Sequence, residues 1–275
     1  MQNKAESVGG VVPNRLWRLR ATLGPSFWRG VLSLVAAAVI WEVTAKEFVK
    51  SQLFFAPLSS VLLRIVDMWR EGTLQTDILA SFQTFALGFI LGSLAAIFFG
   101  VLMAVSDWLR DLIDPWISAL YATPFIALAP LFVLWLGIGL AAHAAVVFIA
   151  VFFPVLINTY TGLSTTDAVL LEVAKSFNAS ETQTFVKVRF PAALPFIITG
   201  LRLGVARGLV GVVVAEFFGA KAGLGYRIVI SGNSFDTAGL FAGILLFAVA
   251  GVISVELLKI LERWLAPWRF QASGE

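Results

Sequence analysis

Residues 165–195 read TTDAVLLEVAKSFNASETQTFVKVRFPAALP, and the stretch is unlike the sequence on either side of it. It carries too many charges and hydroxyls to sit in hydrocarbon, yet Leu170, Leu171, Val173, Ala174 and Phe177 recur at helical spacing. Ser164, three residues before Asp167, reads as a capping box that opens a helix running to about Phe177. Asn178 stands at the turn, where a residue that tolerates the left-handed conformation ends a helix. Ser180 with Gln183 makes a second capping box, opening a helix to about Arg189 that Pro191 and Pro195 close. The pattern predicts a bracket of two capped helices projecting from a membrane protein, suited to docking a soluble partner.

Outward from the bracket the chain turns strongly apolar. Crossing a hydrocarbon core about 30 Å thick takes about 20 apolar residues in a helix. Stretches near 28–45, 78–105, 116–138, 142–160, 195–217 and 238–262 meet that need. Composition agrees, with 59% hydrophobic and 13% charged residues, against about 25% charged in a soluble domain. The expected fold is an all-α polytopic membrane protein with six transmembrane helices. A tail at 1–27 precedes a membrane domain at 28–265 that contains the bracket (about 164–195), and a second tail covers 266–275. Between the first two spans, Leu58, Val61, Leu62, Ile65 and Met68 oppose Arg64, Asp67, Arg70 and Glu71, which describes a surface helix.

Of the 20 Lys and Arg residues, only Lys46, Lys50, Arg64, Arg70, Lys221 and Arg227 fall on the side away from the bracket. The charge bias places the bracket and both termini in the cytoplasm. The basic start and first apolar run resemble a secretion signal, but Trp41 and Glu42 interrupt the would-be cleavage region, which favours an uncleaved anchor.

Several functions are excluded. The chain has no Cys and one His, His143, so thiolate and multi-His metal sites are absent, and no metal or cofactor is expected. No Gly-x-x-x-x-Gly-Lys-Ser/Thr occurs, so energy must come from another chain or an ion gradient. No catalytic constellation is present, and a net charge of +3 gives no footing for nucleic acid. Gly88, Gly92, Ala96 and Gly100 form a small-residue stripe, as do Gly200, Gly204 and Gly208; both suit helix contacts, within the subunit or across a dimer. Arg207 and Glu216 are candidate pathway residues on the fifth span. Arg207 has two readings: it faces the path and favours an anion, or it pairs with a carboxylate and fixes packing. The Gly-rich stretch 216–237 suits a re-entrant loop or an ordinary connection.

The bracket residues Glu172-Val173-Ala174, Asn178-Ala179-Ser180, Val188 and Arg189-Phe190-Pro191 resemble the EAA loop of binding-protein-dependent ABC importer permeases. That family's pattern places Glu-Ala-Ala ahead of a Gly and closes on an aliphatic residue before a Pro. Here Val173 replaces an Ala, and Asn178 replaces the Gly while keeping the turn. The runs YATPFIALAPLFVLWLGIG (Tyr121 to Gly139) and PAALPFIITGLRLGVARGLVGVVVAEFFGAKAGLGYRI look like its nitrate/sulfonate/taurine branch. The resemblance implies a non-catalytic permease of the bacterial inner membrane, paired as a homodimer. It also implies two cytosolic ATP-binding subunits and a periplasmic solute-binding protein. The coupling contact would then be Glu172, Ala174, Lys175, Phe177, Asn178, Ala179 and Ser180. The rival class is a secondary transporter or channel that uses no ATP, which inverted internal repeats would favour; none is evident.

Overall fold

The computed structural model describes residues 25–49 and 53–265. The tail expected at 1–27, apart from its last residues, and the tail at 266–275 lie outside that range. The described residues are almost entirely helical and contain no strand. The segment through Ser60 and the remainder from Val61 are separate compact units. In the first, α1 (Pro25–Val43) runs into a π turn at Thr44–Phe48. There the Trp41 indole donates to the Ala56 carbonyl at 3.0 Å. Glu42 accepts from the Ser59 amide and hydroxyl and pairs with Lys46.

Helix α2 (Leu58–Arg70) is amphipathic, with Val61 and Met68 fully buried. Arg64 reaches Asp236 at 3.0 Å, which ties this surface helix to the start of the last one. Helix α3 (Thr73–Val105) has 33 residues. At 1.5 Å per residue it is about 50 Å long, so it tilts or extends past the hydrocarbon.

The span expected at 116–138 is not one helix. The chain makes α4 (Asp107–Ala122), a 3₁₀ turn at Phe125–Leu128 and α5 (Ala129–Leu136), bent by 89°. Pro124 forces Thr123 out of the helical region, to φ −76° and ψ 129°, so α4 must stop there. Pro130 then sits in the first turn of α5, where its missing N–H costs nothing. Four helices among the described residues are long and apolar enough to cross a membrane, or five if the bent pair counts as one span.

Helix α6 (Leu140–Ser164) is the centre of the second unit: 61% of its apolar window is buried, against 17% for the last helix. Both glycine stripes lie against it within the same chain. A methyl group at Gly92 would stand 2.9 Å from the Phe148 carbonyl oxygen, and one at Gly100 2.8 Å from Thr159 Cβ. From the other side, a methyl at Gly200 would stand 2.8 Å from Asn158 Cβ, and one at Gly208 3.0 Å from Val151. Gly88 faces Val147, and Gly204 faces Val151 and Val155. Lipid removes the hydrophobic drive between helices, so close backbone approach does the joining.

Beyond α6 come α7 (Ala168–Ser176) and α8 (Glu181–Thr184), then a π turn at Phe185–Arg189 that feeds α9 (Phe190–Phe217). Pro191 and Pro195 do not end the helix that Ser180 opens; Glu181 to Phe217 is one helical run. Pro191 occupies the first turn of α9, and the wider π turn ahead of it absorbs the misfit of its ring. Helices α10 (Leu224–Asn233) and α11 (Thr237–Leu265) complete the chain.

Candidate functional site

The bracket between α6 and α9 is built by local capping. Ser164 is not its opening cap, because α6 continues through Ser164 and the Thr165 amide closes it on the Thr161 carbonyl at 2.9 Å. Asp167 takes the role instead, its carboxylate accepting from the Val169 amide at 2.8 Å. Asn178 ends α7 at φ +52°, and the Ala179 amide reaches back to the Ala174 carbonyl at 3.0 Å, a Schellman closure. Ser180 and Gln183 form a reciprocal capping box, each side chain accepting the other's backbone N–H.

These caps hold α7 rigid while leaving its apolar side open. Val169, Leu170 and Val173 are exposed, and Phe177 is 82% exposed. Ala174 turns inward, with Leu171 and Ala179 half-buried; Glu172, Lys175, Asn178 and Ser180 are exposed. The far leg is anchored differently. Phe185 and Phe190 pack with Leu163, Ala193 and Ile197, so the run into α9 is fixed to the bundle. The bracket is thus a capped helix carrying an uncovered apolar ridge, on a leg continuous with a long apolar helix.

The opposite end of the unit holds a buried polar clamp. Both oxygens of Glu216 are occupied: one accepts from the Ser81 hydroxyl and the other from the Gly225 amide, each at 2.7 Å. Ser81 accepts in turn from the Leu224 amide at 2.8 Å. Asp77 accepts from the Gly223 amide at 2.9 Å and from both Nε and Nη2 of Arg227. Two carboxylates, each 2% exposed, thus satisfy the first amides of α10, where the helix dipole favours negative charge. Gly223, at φ +131°, leaves no room for a side chain beside the Glu216 carboxylate. The stretch after Glu216 is therefore a short loop leading into a helix. Sequence reasoning did not find Asp77, Ser81 or Arg227; only the Gly-Leu-Gly run hinted at a close approach.

Arg207 lies exposed on α9, and among the described residues no carboxylate pairs with it. The structure does not bring it near Glu216, which is more than two turns along α9 and committed to the clamp. Arg202, by contrast, pairs with the buried Glu262 of α11. His143 is buried in the first turn of α6.

Residues 88–267 match the family described as the binding-protein-dependent transport system inner membrane component. The chain is 32% identical to the putative aliphatic sulfonates transport permease protein SsuC of Bacillus subtilis (strain 168), over 98% of this chain and 99% of that protein. It is 33% identical to the formylaminopyrimidine transport permease protein ThiX of Halalkalibacterium halodurans, over 84% and 92% respectively. It is also 31% identical to the taurine transport system permease protein TauC of Escherichia coli (strain K12), over 86% and 88%. Among solved structures, an inward-facing MetNI methionine ABC transporter chain shares the fold, with a TM-score of 0.59 at 18% identity, covering 71% of this chain and 98% of that one.

Proposed function

This chain belongs to the binding-protein-dependent transport system inner membrane component family, a multi-pass inner-membrane permease family, and we propose that it forms the conduit of an ATP-driven importer for a small sulfonate-like anion. The observation that carries this reading is the open ridge of Val169, Leu170, Val173 and Phe177 on a capped, rigid helix. A cytosolic ATP-binding subunit seats that ridge, meeting Glu172, Ala174, Lys175, Phe177, Asn178, Ala179 and Ser180. Its closing motion passes through the continuous run from Glu181 to Phe217 into the membrane. Two copies of the chain enclose the path and two ATP-binding subunits serve them. Both termini and the bracket lie in the cytoplasm, and a periplasmic binding protein delivers solute at the clamp end.

The choice of an anion rests on Arg207 and on the relatives named for sulfonates and taurine. A guanidinium facing lipid at a span centre costs about 2.5–3.5 kcal/mol. Arg207 therefore lines water between the two copies, where its fork matches a sulfonate with two parallel hydrogen bonds. Glu216, with both oxygens engaged, holds the far-end loop and does not meet solute.

The test is reconstitution of the chain with its cognate ATP-binding subunit and binding protein in liposomes, following labelled taurine and an alkanesulfonate. Uptake should require ATP and fall at least about tenfold in Arg207→Gln, the loss of one charge-assisted contact. Uptake that proceeds without ATP would identify a secondary carrier. Uptake unchanged by Arg207→Gln would remove that residue from the path.

A further inference from the structure

Behind the bracket, where α4, α6 and the π turn converge, lies a cavity of about 220 Å³ lined by Asp107, Arg110, Tyr160, Ser164, Thr166 and Arg189. A water occupies about 30 Å³ in the liquid, so the space holds a polyatomic ligand. Its charges are unevenly settled. Arg110 is spent on two carboxylates, Asp107 at 2.8 Å and Asp111 at 2.9 Å. Tyr160 and Ser164 each bring a hydroxyl to the lining, a group that can donate as well as accept. Thr166 is satisfied by the Leu163 carbonyl. Arg189, half-buried in the π turn, has no ion pair or hydrogen bond to its guanidinium among the described residues. Lys175 and Glu181 line the adjoining cavity together with Arg189.

We infer that this cavity is a binding site for a tetrahedral oxyanion group, held between the Arg189 guanidinium and the hydroxyls of Tyr160 and Ser164. Three features converge on that chemistry. The one uncommitted charge is a planar fork suited to phosphate, sulfate or sulfonate. The hydroxyls can donate, and the Asp107 carboxylate that would repel an anion is largely exposed, where water screens it, and is held by Arg110 at 2.8 Å. The position gives the site a consequence: Arg189 belongs to the leg of the bracket, whereas Tyr160 and Ser164 belong to the end of α6. An oxyanion there adds a polar tie to the apolar anchoring of that leg and stiffens the bracket. The group comes either as a free anion or as the phosphate of an anionic lipid, and the two sources separate experimentally. The inference concerns binding alone, so it stands or falls independently of transport.

The experiment places the full-length chain in nanodiscs of phosphatidylcholine and follows hydrogen exchange across residues 165–190. In one arm sodium sulfate is titrated against sodium chloride at equal ionic strength. In the other, phosphatidylglycerol replaces part of the phosphatidylcholine with no sulfate present. A saturable slowing of exchange with sulfate identifies a free-anion site; slowing with phosphatidylglycerol alone identifies a lipid headgroup site. In either case Arg189→Gln should weaken the response about tenfold, Arg189→Lys should retain part of it, and Tyr160→Phe should fall between. No slowing in either arm, or slowing that persists unchanged in Arg189→Gln, overturns the inference.

Discussion

The two ends of the second unit are held by opposite means. At the bracket end, each cap joins residues two to five apart in sequence, and the apolar ridge is left bare. At the clamp end, the bonds from α3 reach residues 135 to 150 positions later, and both carboxylates involved are buried. The contrast separates a part that keeps its shape while leaving an apolar face open from a part that is closed upon itself. It also predicts where substitutions will act: clamp changes on folding, ridge changes on association.

The largest effect belongs to the clamp. Arg227→Met leaves Asp77 buried without its cation, which costs about 3–5 kcal/mol. Chemical unfolding in detergent should show the loss, with a matching drop in folded yield. Gly223→Val adds a strained left-handed position and a collision with Glu216, and should be comparably damaging. A clamp that tolerates both changes would mean the far end is not fixed by these bonds.

Next comes the packing of α6. Gly200→Val drives methyl groups into Asn158 and the Val155 backbone, an overpacking worth about 1–3 kcal/mol. The same unfolding measurement reads it. A neutral result would show that α9 can slide on α6, weakening the path from bracket to span.

Smaller again is the cap. Ser180→Ala should cost about 1 kcal/mol, visible as faster hydrogen exchange at residues 181–184 with little change in global unfolding. Asn178→Gly sharpens the point in the other direction: Gly adopts positive φ more readily, so the bracket should be retained and the global stability moved by less than about 1 kcal/mol.

These contrasts explain what was legible in the sequence. Asn178, Ser180 and Gln183 announce themselves because a cap is a local transaction between neighbours. Asp167 was misassigned to a cap three residues earlier because only the fold shows that α6 runs through Ser164. The glycine stripes could be read as contact faces, but their partner could not be, since spacing names a face and not what covers it. The stretch 116–138 was read as one span because its apolar content is continuous; the steric rule at Pro124 that breaks it acts on the backbone and leaves hydropathy unchanged. Asp77 and Arg227 left no trace, because a lone acid in one helix and a lone base in another look like ordinary surface charges until the chain brings them together. Arg207 remained ambiguous for a related reason: spacing along a helix does not say what an exposed guanidinium faces.

The smallest expected change in stability carries the most functional weight. Phe177→Ser, at a ridge position exposed in the chain alone, should leave unfolding within about 0.5 kcal/mol of the parent while abolishing association with the ATP-binding subunit. Because the chain has no Cys, the most direct measurement is maleimide labelling of Phe177→Cys in the inner membrane, with and without the cognate ATP-binding subunit. Rapid labelling in the permease alone, suppressed when that subunit is present, is the predicted result. Equal labelling in both states would contradict the assignment of the bracket ridge as the docking face.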